Sequence, residues 1–222
     1  MTPTNARLAL SFWLAPMGLD NATEAAIIAA ALAIVARPLW VGPMPATYIQ
    51  GPPGSGKTRL ANALSNITSA RPMVAHAAIH LRPSLAEAAA RMPLIAIVDS
   101  LQNAPRASSV DLLAERITSH NLRVINTNEV TPLRTSWLIT STSAIPTPDL
   151  ARRCILIDLT GAIPADLDTV PRARILAALY ALLSEGLNNA ANPAPPVAGP
   201  FDDWFAVLAG AGLPTTLASA AK

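Results

Sequence analysis

Cysteine, lysine, aromatic residues and charge are all scarce in this sequence. Of its 222 residues only 14% are charged and 4% aromatic, the net charge is +2, and Cys154 is the single cysteine. One cysteine excludes an intrachain disulfide and fits a reducing, cytoplasmic compartment. Its position inside the apolar run 154–157 predicts a buried thiol rather than a nucleophile. A net charge this small does not by itself require a nucleic-acid partner.

Long hydrophobic runs are also missing. The apolar stretch 25–36 is too short to cross a bilayer and follows Asp20 and Glu24 rather than basic residues, so we expect neither a signal peptide nor a membrane partner. Apolar residues nevertheless make up 51% of the chain. Few charged residues and many apolar ones predict surfaces that are buried against other subunits, and hence a homo-oligomer.

The most specific motif lies at residues 51–58, which read Gly-Pro-Pro-Gly-Ser-Gly-Lys-Thr and match the pattern G-x-x-x-x-G-K-[ST]. A β-like run precedes it and a helical pattern follows, which is the context that a phosphate-binding loop needs. Glycines let backbone N–H groups approach a phosphate chain, and the helix presents its positive end to the anion. Lys57 is one of only two lysines among 16 basic residues, and its ammonium would reach the β- and γ-phosphates. The predicted nucleotide-binding residues are Gly51, Pro52, Pro53, Gly54, Ser55, Gly56, Lys57, Thr58 and Arg59.

A second motif is the apolar run 94–98, which ends in Asp99. It predicts a central strand with a carboxylate at its C-terminal edge, where the ligands of open α/β sheets gather. We expect the Thr58 hydroxyl and Asp99 to hold Mg²⁺, Asp99 either directly or through water. The alternative is an ordinary aspartate that caps the loop after the strand.

Ser100 follows Asp99, where many nucleotide hydrolases of this layout have a glutamate that orients the attacking water. A serine cannot act as a carboxylate base. Gln102 or Asn103 could polarise a water instead. The sequence therefore supports nucleotide binding more firmly than hydrolysis.

A third constellation is the buried-strand pattern 137–141, which emerges into the hydroxyl residues 140–143. In a nucleotide-hydrolase sheet this strand lies between the strand of the loop and the strand of Asp99. Its polar tip would then contact the γ-phosphate or its water. A Ser/Thr turn that merely ends a strand explains the pattern equally well.

A fourth constellation is the pair Arg152 and Arg153, directly before the apolar strand 154–159. In one interpretation, an arginine pairs with Asp149 or Asp158 in a solvated salt bridge. In the other, the pair supplies an arginine finger that reaches the γ-phosphate bound to a neighbouring subunit.

Apolar runs alternate with helical patterns along the chain, which predicts a mainly parallel sheet covered on both faces. Strands are predicted at 47–50, 73–76, 94–99, 122–126, 137–141 and 154–159, and helices at 23–37, 57–65, 84–91, 109–119, 172–187 and 202–210. The proline-rich stretch 192–200 predicts a linker. We divide the chain into an N-terminal extension (1–22) that precedes the first helix, a core (23–160) and a C-terminal helical part (161–222).

The order of these parts resembles that of the AAA+ ATPases: phosphate loop, Asp-ended strand, polar-tipped strand, paired arginines and helical lid. More narrowly, residues 25–213 resemble the ATPase domain of primase–helicase-type proteins carried by phages, plasmids and integrated elements. The resemblance lies in an Arg-Pro-Leu-Trp segment at 37–40, an Asp-Leu-Ala-Arg-Arg segment at 149–153 and a Phe-Asp-Asp-Trp segment at 201–204.

The resemblance implies an α/β, AAA+-like P-loop NTPase fold with a mainly parallel five-stranded sheet flanked by helices and a small C-terminal helical lid. It further implies ATP and Mg²⁺ as ligands and an oligomeric ring such as a hexamer. The implied catalytic residues are Lys57, Asp99, Arg152 and Arg153, with a sensor role for Thr142. The sequence departs from the family at Ser100 and at the strand tip 140–143, where the family usually has Thr-Gly-Asn-Asn.

DNA contact is predicted at a hairpin. Arg123 and Arg134 flank residues 124–133, which could form a β-hairpin that lines a ring pore, as in the hexameric helicases that this chain resembles. Those arginines would hold backbone phosphates. A solvent-exposed hairpin without a ligand is the alternative.

Three functions are compatible with the sequence. The first is an oligomeric ATPase motor, helicase-like and active in the DNA replication of a mobile element. The second is a nucleotide-gated assembly or loader subunit with weak hydrolysis, suggested by Ser100 and Thr142. The third is a small-molecule or nucleoside kinase, which would need an arginine-rich lid and has only Arg172 and Arg174 for it.

Overall fold

The computed structural model describes residues 1–103, 106–119, 121–123, 130–132, 134–161, 163, 167, 170–190 and 200–213. The helices are α1 (Pro3–Leu14), α2 (Asn21–Ala36), α3 (Lys57–Asn66), α4 (Ala77–Arg91), α5 (Ala107–Thr118), α6 (Pro148–Ala151), α7 (Arg172–Asn189) and α8 (Asp202–Gly210). The strands are β1 (Ala46–Gln50), β2 (Met73–His76), β3 (Ile95–Asp99), β4 (Asn121–Arg123), β5 (Val130–Pro132), β6 (Ser136–Ser141) and β7 (Cys154–Asp158).

A five-stranded sheet in the order β2-β3-β6-β1-β7 forms the centre of the molecule. All of its neighbouring strands run parallel. The predicted position of β6, between the strand of the phosphate loop and the strand of Asp99, is therefore confirmed. The protein has the predicted α/β P-loop NTPase fold, in which the C-terminal ends of β1, β3 and β6 meet at one edge.

The sheet and α2 supply most of the core. Residues 95–98 of β3 and all of β6 are buried, which explains why these strands are apolar without alternation. Residues 27–36 of α2 are buried without interruption, since the helix packs between β7 and α7. The Asp20 side chain caps α2 by accepting a hydrogen bond from the Thr23 N–H at 2.7 Å. Cys154 is fully buried, as predicted, and this burial raises the pKa of its thiol.

The prediction that residues 1–22 precede the first helix is wrong. Helix α1 begins at Pro3, and the Thr2 side chain caps it by accepting from the Asn5 N–H at 3.3 Å. The buried stripe of α1 packs on α7, a partner that is distant in sequence. Within the described residues, no single helix is long and apolar enough to cross a membrane. Only the helical segments 3–17 and 21–36, taken together, reach the necessary length and hydropathy, and they are bent by 118° to each other.

Two other boundaries differ from the predictions. Helix α4 begins at Ala77 rather than at 84. It contains Pro83, and the backbone is non-helical at His80 (φ −136°, ψ 24°), so a kink there joins two helical segments into one element. Strand β4 is short and ends at Arg123, before the range 124–133 that was predicted as a hairpin, and it pairs antiparallel with β5, which lies within that range. Residues 124–129, between the two strands, lie outside the described residues, as does the predicted linker apart from Pro200.

The C-terminal helices pack on the N-terminal ones. Helix α7 contacts α1, α2 and α8. Helices α7 and α8 cross closely at Gly186, where an added Cβ would lie 2.4 Å from the Val207 carbonyl oxygen. Trp204 of α8 meets Trp40 edge to face, with ring centroids 5.3 Å apart.

Substitution Gly186→Ala should destabilise the protein by about 1–3 kcal/mol, because the clash at the crossing exceeds the gain of about 0.5–1 kcal/mol from a better helix former. The free energy of unfolding in urea measures this. Gly161→Ala is the control, since a Cβ there meets no atom within 4 Å. A Gly186→Ala protein that is more stable than the wild type would contradict the close crossing.

Candidate functional site

The phosphate loop connects β1 to α3 and is covered by the chain that leaves β7. Gly54 and Gly56 have φ values of 79° and 90°, a region that favours glycine. A Cβ on Gly56 would lie 2.3 Å from Ile163 Cγ1, and a Cβ on Gly51 would lie 2.6 Å from the Leu159 carbonyl oxygen. Gly56 is therefore required by both close packing and backbone conformation, Gly51 by close packing and Gly54 by backbone conformation.

Ser55 is the buried polar residue of the loop. It is 2% exposed, and its Oγ has no hydrogen-bond partner among the described residues. A buried hydroxyl without a partner is costly and rare in a native protein. Together with the glycine cradle, this orphaned donor fits a loop built to hold a phosphate oxygen.

Lys57 and Thr58 form the first turn of α3, whose N-cap, Gly56, offers no side-chain cap. The Lys57 ammonium donates to the carbonyl oxygens of Gly51 and Pro52, both at 2.8 Å, and so lies across the loop. Partial burial lowers the pKa of Lys57, and the Asp99 carboxylate opposes that shift. The Lys57 ammonium and the N-terminus of α3 thus lie close together at the loop, and both favour an anion there.

The Asp99 carboxylate is where the loop meets the neighbouring strands. Its Oδ1 accepts hydrogen bonds from Thr58 Oγ1 at 3.2 Å and from Thr140 Oγ1 at 2.8 Å. Its Oδ2 accepts from Ser100 Oγ at 3.3 Å and lies 3.7 Å from His76 Nδ1. The structure therefore brings together Thr58 and Asp99, the two predicted Mg²⁺ ligands.

Thr140 is the residue of this cluster whose role the sequence did not reveal. It is 1% exposed, it donates to Asp99, and it accepts the backbone N–H of Ser100 at 3.0 Å. Ser100 has a φ of 60°, uncommon for a residue other than glycine. One hydroxyl therefore holds both the carboxylate and the turn that follows it.

The predicted sensor, Thr142, lies beyond the end of β6 and is exposed. Its backbone N–H donates to Gln102 Oε1 at 3.1 Å. Gln102, one of two residues predicted to polarise a water, is thus bonded to the strand tip. The side chain of the other, Asn103, is outside the described part of the chain. The sensor role of Thr142 stays a prediction.

Oxygen ligands for Mg²⁺ are available from Thr58 and Asp99, both hard donors of the type that this ion prefers. The described residues contain no group of three or more His, Cys, Asp or Glu side chains placed to hold a metal. A magnesium ion at this edge would therefore take its remaining ligands from water and from a bound phosphate, as it does in nucleotide sites.

Arg152 and Arg153 lie at the opposite edge of the sheet, directly before β7. The Arg153 carbonyl accepts from the N–H of Ala46, the first residue of β1, at 2.9 Å. Since the phosphate loop follows the last residue of β1, the length of that strand, roughly 15 Å, separates the arginine pair from the loop of its own chain.

The two arginines differ in their surroundings. The Arg153 side chain is 16% exposed and bonds to the Asp149 carboxylate at 3.1 Å and to the Thr118 hydroxyl. The Arg152 side chain is 70% exposed and pairs with Asp149. The hydrogen bond from Arg153 is the largest of the causes that lower the pKa of Asp149. Arg153 therefore fastens α6 to α5, and Arg152 is directed to solvent.

The predicted DNA contacts are described in part. Arg123 lies on β4, and its side chain is outside the described part of the structure. Arg134 is exposed and donates to the Pro38 carbonyl, next to the buried Arg37. Burial, and secondarily Arg134, lower the pKa of Arg37 to about 10. Arg134 is thus held against the segment after α2, and DNA contact by either arginine stays a prediction.

Substitution Thr140→Val should lower the free energy of unfolding by about 1–3 kcal/mol, because the Ser100 N–H and the Asp99 carboxylate both lose a partner. Urea denaturation measures the change. Thr142→Val is the control and should change stability by less than about 0.5 kcal/mol, since its side chain is exposed. Equal stability of the two variants would contradict the role of the Thr140 hydroxyl.

Comparison with known proteins gives distant structural similarity only. No protein-family model and no curated protein matches the chain. It is similar to JCV helicase with a bound inhibitor (16% identity, TM-score 0.48, 81% of this chain and 53% of that one) and to the C-terminal region of NrS-1 (18%, 0.47, 82% and 44%). It is also similar to NtrX from Brucella abortus in complex with ADP (13%, 0.40, 54% and 33%). The chain spans between 33% and 53% of these longer proteins, and its strand order and loop geometry define its fold.

Proposed function

We propose that this chain is an ATP-binding and ATP-hydrolysing domain that works as an oligomer. The contact between Thr58 and Asp99 carries the proposal, because it joins the end of the phosphate loop to a carboxylate two strands away. The glycine cradle, the buried Ser55 hydroxyl and the Lys57 ammonium support phosphate binding at the same place. Each of these groups is of the type that a nucleoside triphosphate requires.

Each group of residues would have its own role in binding the nucleotide. Residues 51–56 would surround the β-phosphate with backbone N–H groups, and Lys57 would neutralise the β- and γ-phosphates. Thr58 and Asp99 would hold Mg²⁺, which offsets negative charge on the phosphates when it is bound. Thr140 would keep the Asp99 carboxylate in place through its buried hydrogen bond.

Arg152 is proposed as a finger that acts on the nucleotide of a neighbouring subunit. Its exposure and its position at the edge opposite the loop support action in trans, because it cannot reach the phosphates bound to its own chain. Arg153, the alternative from sequence, is mostly buried and bonded to α5. The low share of charged residues, 14%, supports an oligomer, and a ring is the arrangement in which every subunit both gives and receives an arginine.

We further propose a helicase-like role in the DNA replication of a mobile element, in the cytoplasm, with the β4–β5 hairpin and Arg134 facing DNA and α7 and α8 serving as a lid. The antiparallel pairing of β4 with β5 supports the hairpin. A second candidate is a nucleotide-gated assembly subunit with slow turnover. Ser100 favours it, because this residue stands where a carboxylate base would be and its hydroxyl donates to Asp99.

Loss of the Lys57 ammonium should weaken ATP binding about 10- to 100-fold, as expected for a lost hydrogen bond to a charged group. Titration of Lys57→Ala with a fluorescent ATP analogue measures this. Light scattering with ATP and Mg²⁺ should show assembly of the wild type and not of Lys57→Ala. Lys222→Ala, which removes the other lysine, is the control. Wild-type ATP affinity in Lys57→Ala would overturn the proposed site.

Substitution Arg152→Ala should reduce turnover about a thousandfold with ATP affinity unchanged, because an arginine finger stabilises charge that develops in the transition state. Arg174→Ala, which removes another exposed arginine, is the control. Mixing Arg152→Ala with Lys57→Ala subunits should restore turnover at composite sites, since ATP bound to the Arg152→Ala subunit promotes co-assembly and the Lys57→Ala subunit supplies the arginine. No recovery in the mixture would argue against action in trans.

A further inference from the structure

His76 ends β2 at the same sheet edge as the phosphate loop. It stands in register with Asp99 on the neighbouring strand β3. Its Nδ1 lies 3.7 Å from Asp99 Oδ2, and its side chain is 66% exposed. The imidazole therefore contacts the oxygen of the carboxylate that does not bond to Thr58, so the same carboxylate meets His76 on one oxygen and the first turn of α3 on the other.

Two other side chains at this edge are already engaged in hydrogen bonds. The Ser100 hydroxyl donates to Asp99, and Gln102 Oε1 accepts from Thr142. A neutral imidazole with Nδ1–H toward a carboxylate has Nε2 as its acceptor. No described residue hydrogen-bonds to His76 Nε2, so this nitrogen remains available at the mouth of the site.

We propose that His76 supplies the function of the carboxylate that is absent after Asp99: its Nε2 accepts a hydrogen bond from the attacking water and orients it. The inference rests on the proposed ATP hydrolysis. The water oxygen forms a bond to the γ-phosphorus while the bond from that phosphorus to the bridging oxygen breaks. The bond's electron pair stays on ADP, and the water proton ends on the released phosphate. Water-orienting side chains of this kind occur in other nucleotide hydrolases.

The test uses His76→Ala and His76→Gln, with His80→Ala as a matched control. His80 is another exposed histidine, at the kink of the adjoining helix α4. His76→Ala should reduce kcat about 100-fold while the Kd for ATP changes less than about twofold. His76→Gln should retain more activity than His76→Ala, because an amide oxygen can also accept from water. Thermal unfolding shows whether each variant is folded.

A second readout does not depend on turnover. ADP with aluminium fluoride mimics the transferring phosphoryl group, so its affinity should fall about tenfold in His76→Ala while the affinity for ADP is kept, as expected for a residue that acts in the transition state. A merely structural role would weaken both ligands together.

The outcomes separate this inference from the proposed function. Wild-type turnover and wild-type aluminium fluoride affinity in His76→Ala would overturn the role of His76 and leave ATP hydrolysis standing. An equal loss of affinity for ADP and for the transition-state mimic would also overturn it. A wild-type protein that binds ATP but does not hydrolyse it, with or without assembly, would overturn both.

Discussion

The hydrogen bonds to the Asp99 carboxylate are the interaction on which the arrangement of this site depends. Thr58 reaches it from the first turn of α3, and Thr140 reaches it from β6. Both contacts require β1, β3 and β6 to end at the same edge, which parallel pairing ensures. An antiparallel β6 would carry Thr140 to the other end of the sheet. The apolar runs that bury these strands thereby also determine which polar side chains meet.

Local patterns were sufficient to predict the loop and the Asp99 strand, which depend on residues that are adjacent in sequence. The position of β6 was predicted from the layout of nucleotide-hydrolase sheets, since no local pattern encodes which strands are neighbours. The contact of Thr140 with Asp99 depends instead on the β3–β6 register, in which Val98 pairs with Ile139, and no local pattern encodes that register. The sequence therefore directed attention to the strand tip at Thr142, two residues beyond the hydroxyl that meets the carboxylate.

Long-range packing explains the other differences. The apolar stripe of α1 is stabilised by α7, so no neighbouring residue shows that a helix begins at Pro3. The helix predicted from residue 84 begins earlier, because the kink at His80 lets one element continue from β2. The unequal burial of Arg152 and Arg153 depends on Thr118 of α5, which an adjacent pair in the sequence cannot reveal.

Strand β7 connects the two edges of the sheet. Its far end continues into Leu159 and Ile163, which press on the loop glycines, and its near end begins at the arginine pair. The register of β7 with β1 is continuous from Cys154 to Asp158. One hydrogen-bonded strand therefore spans the distance between the chain segment that covers the loop and the guanidinium that the molecule presents on its opposite side.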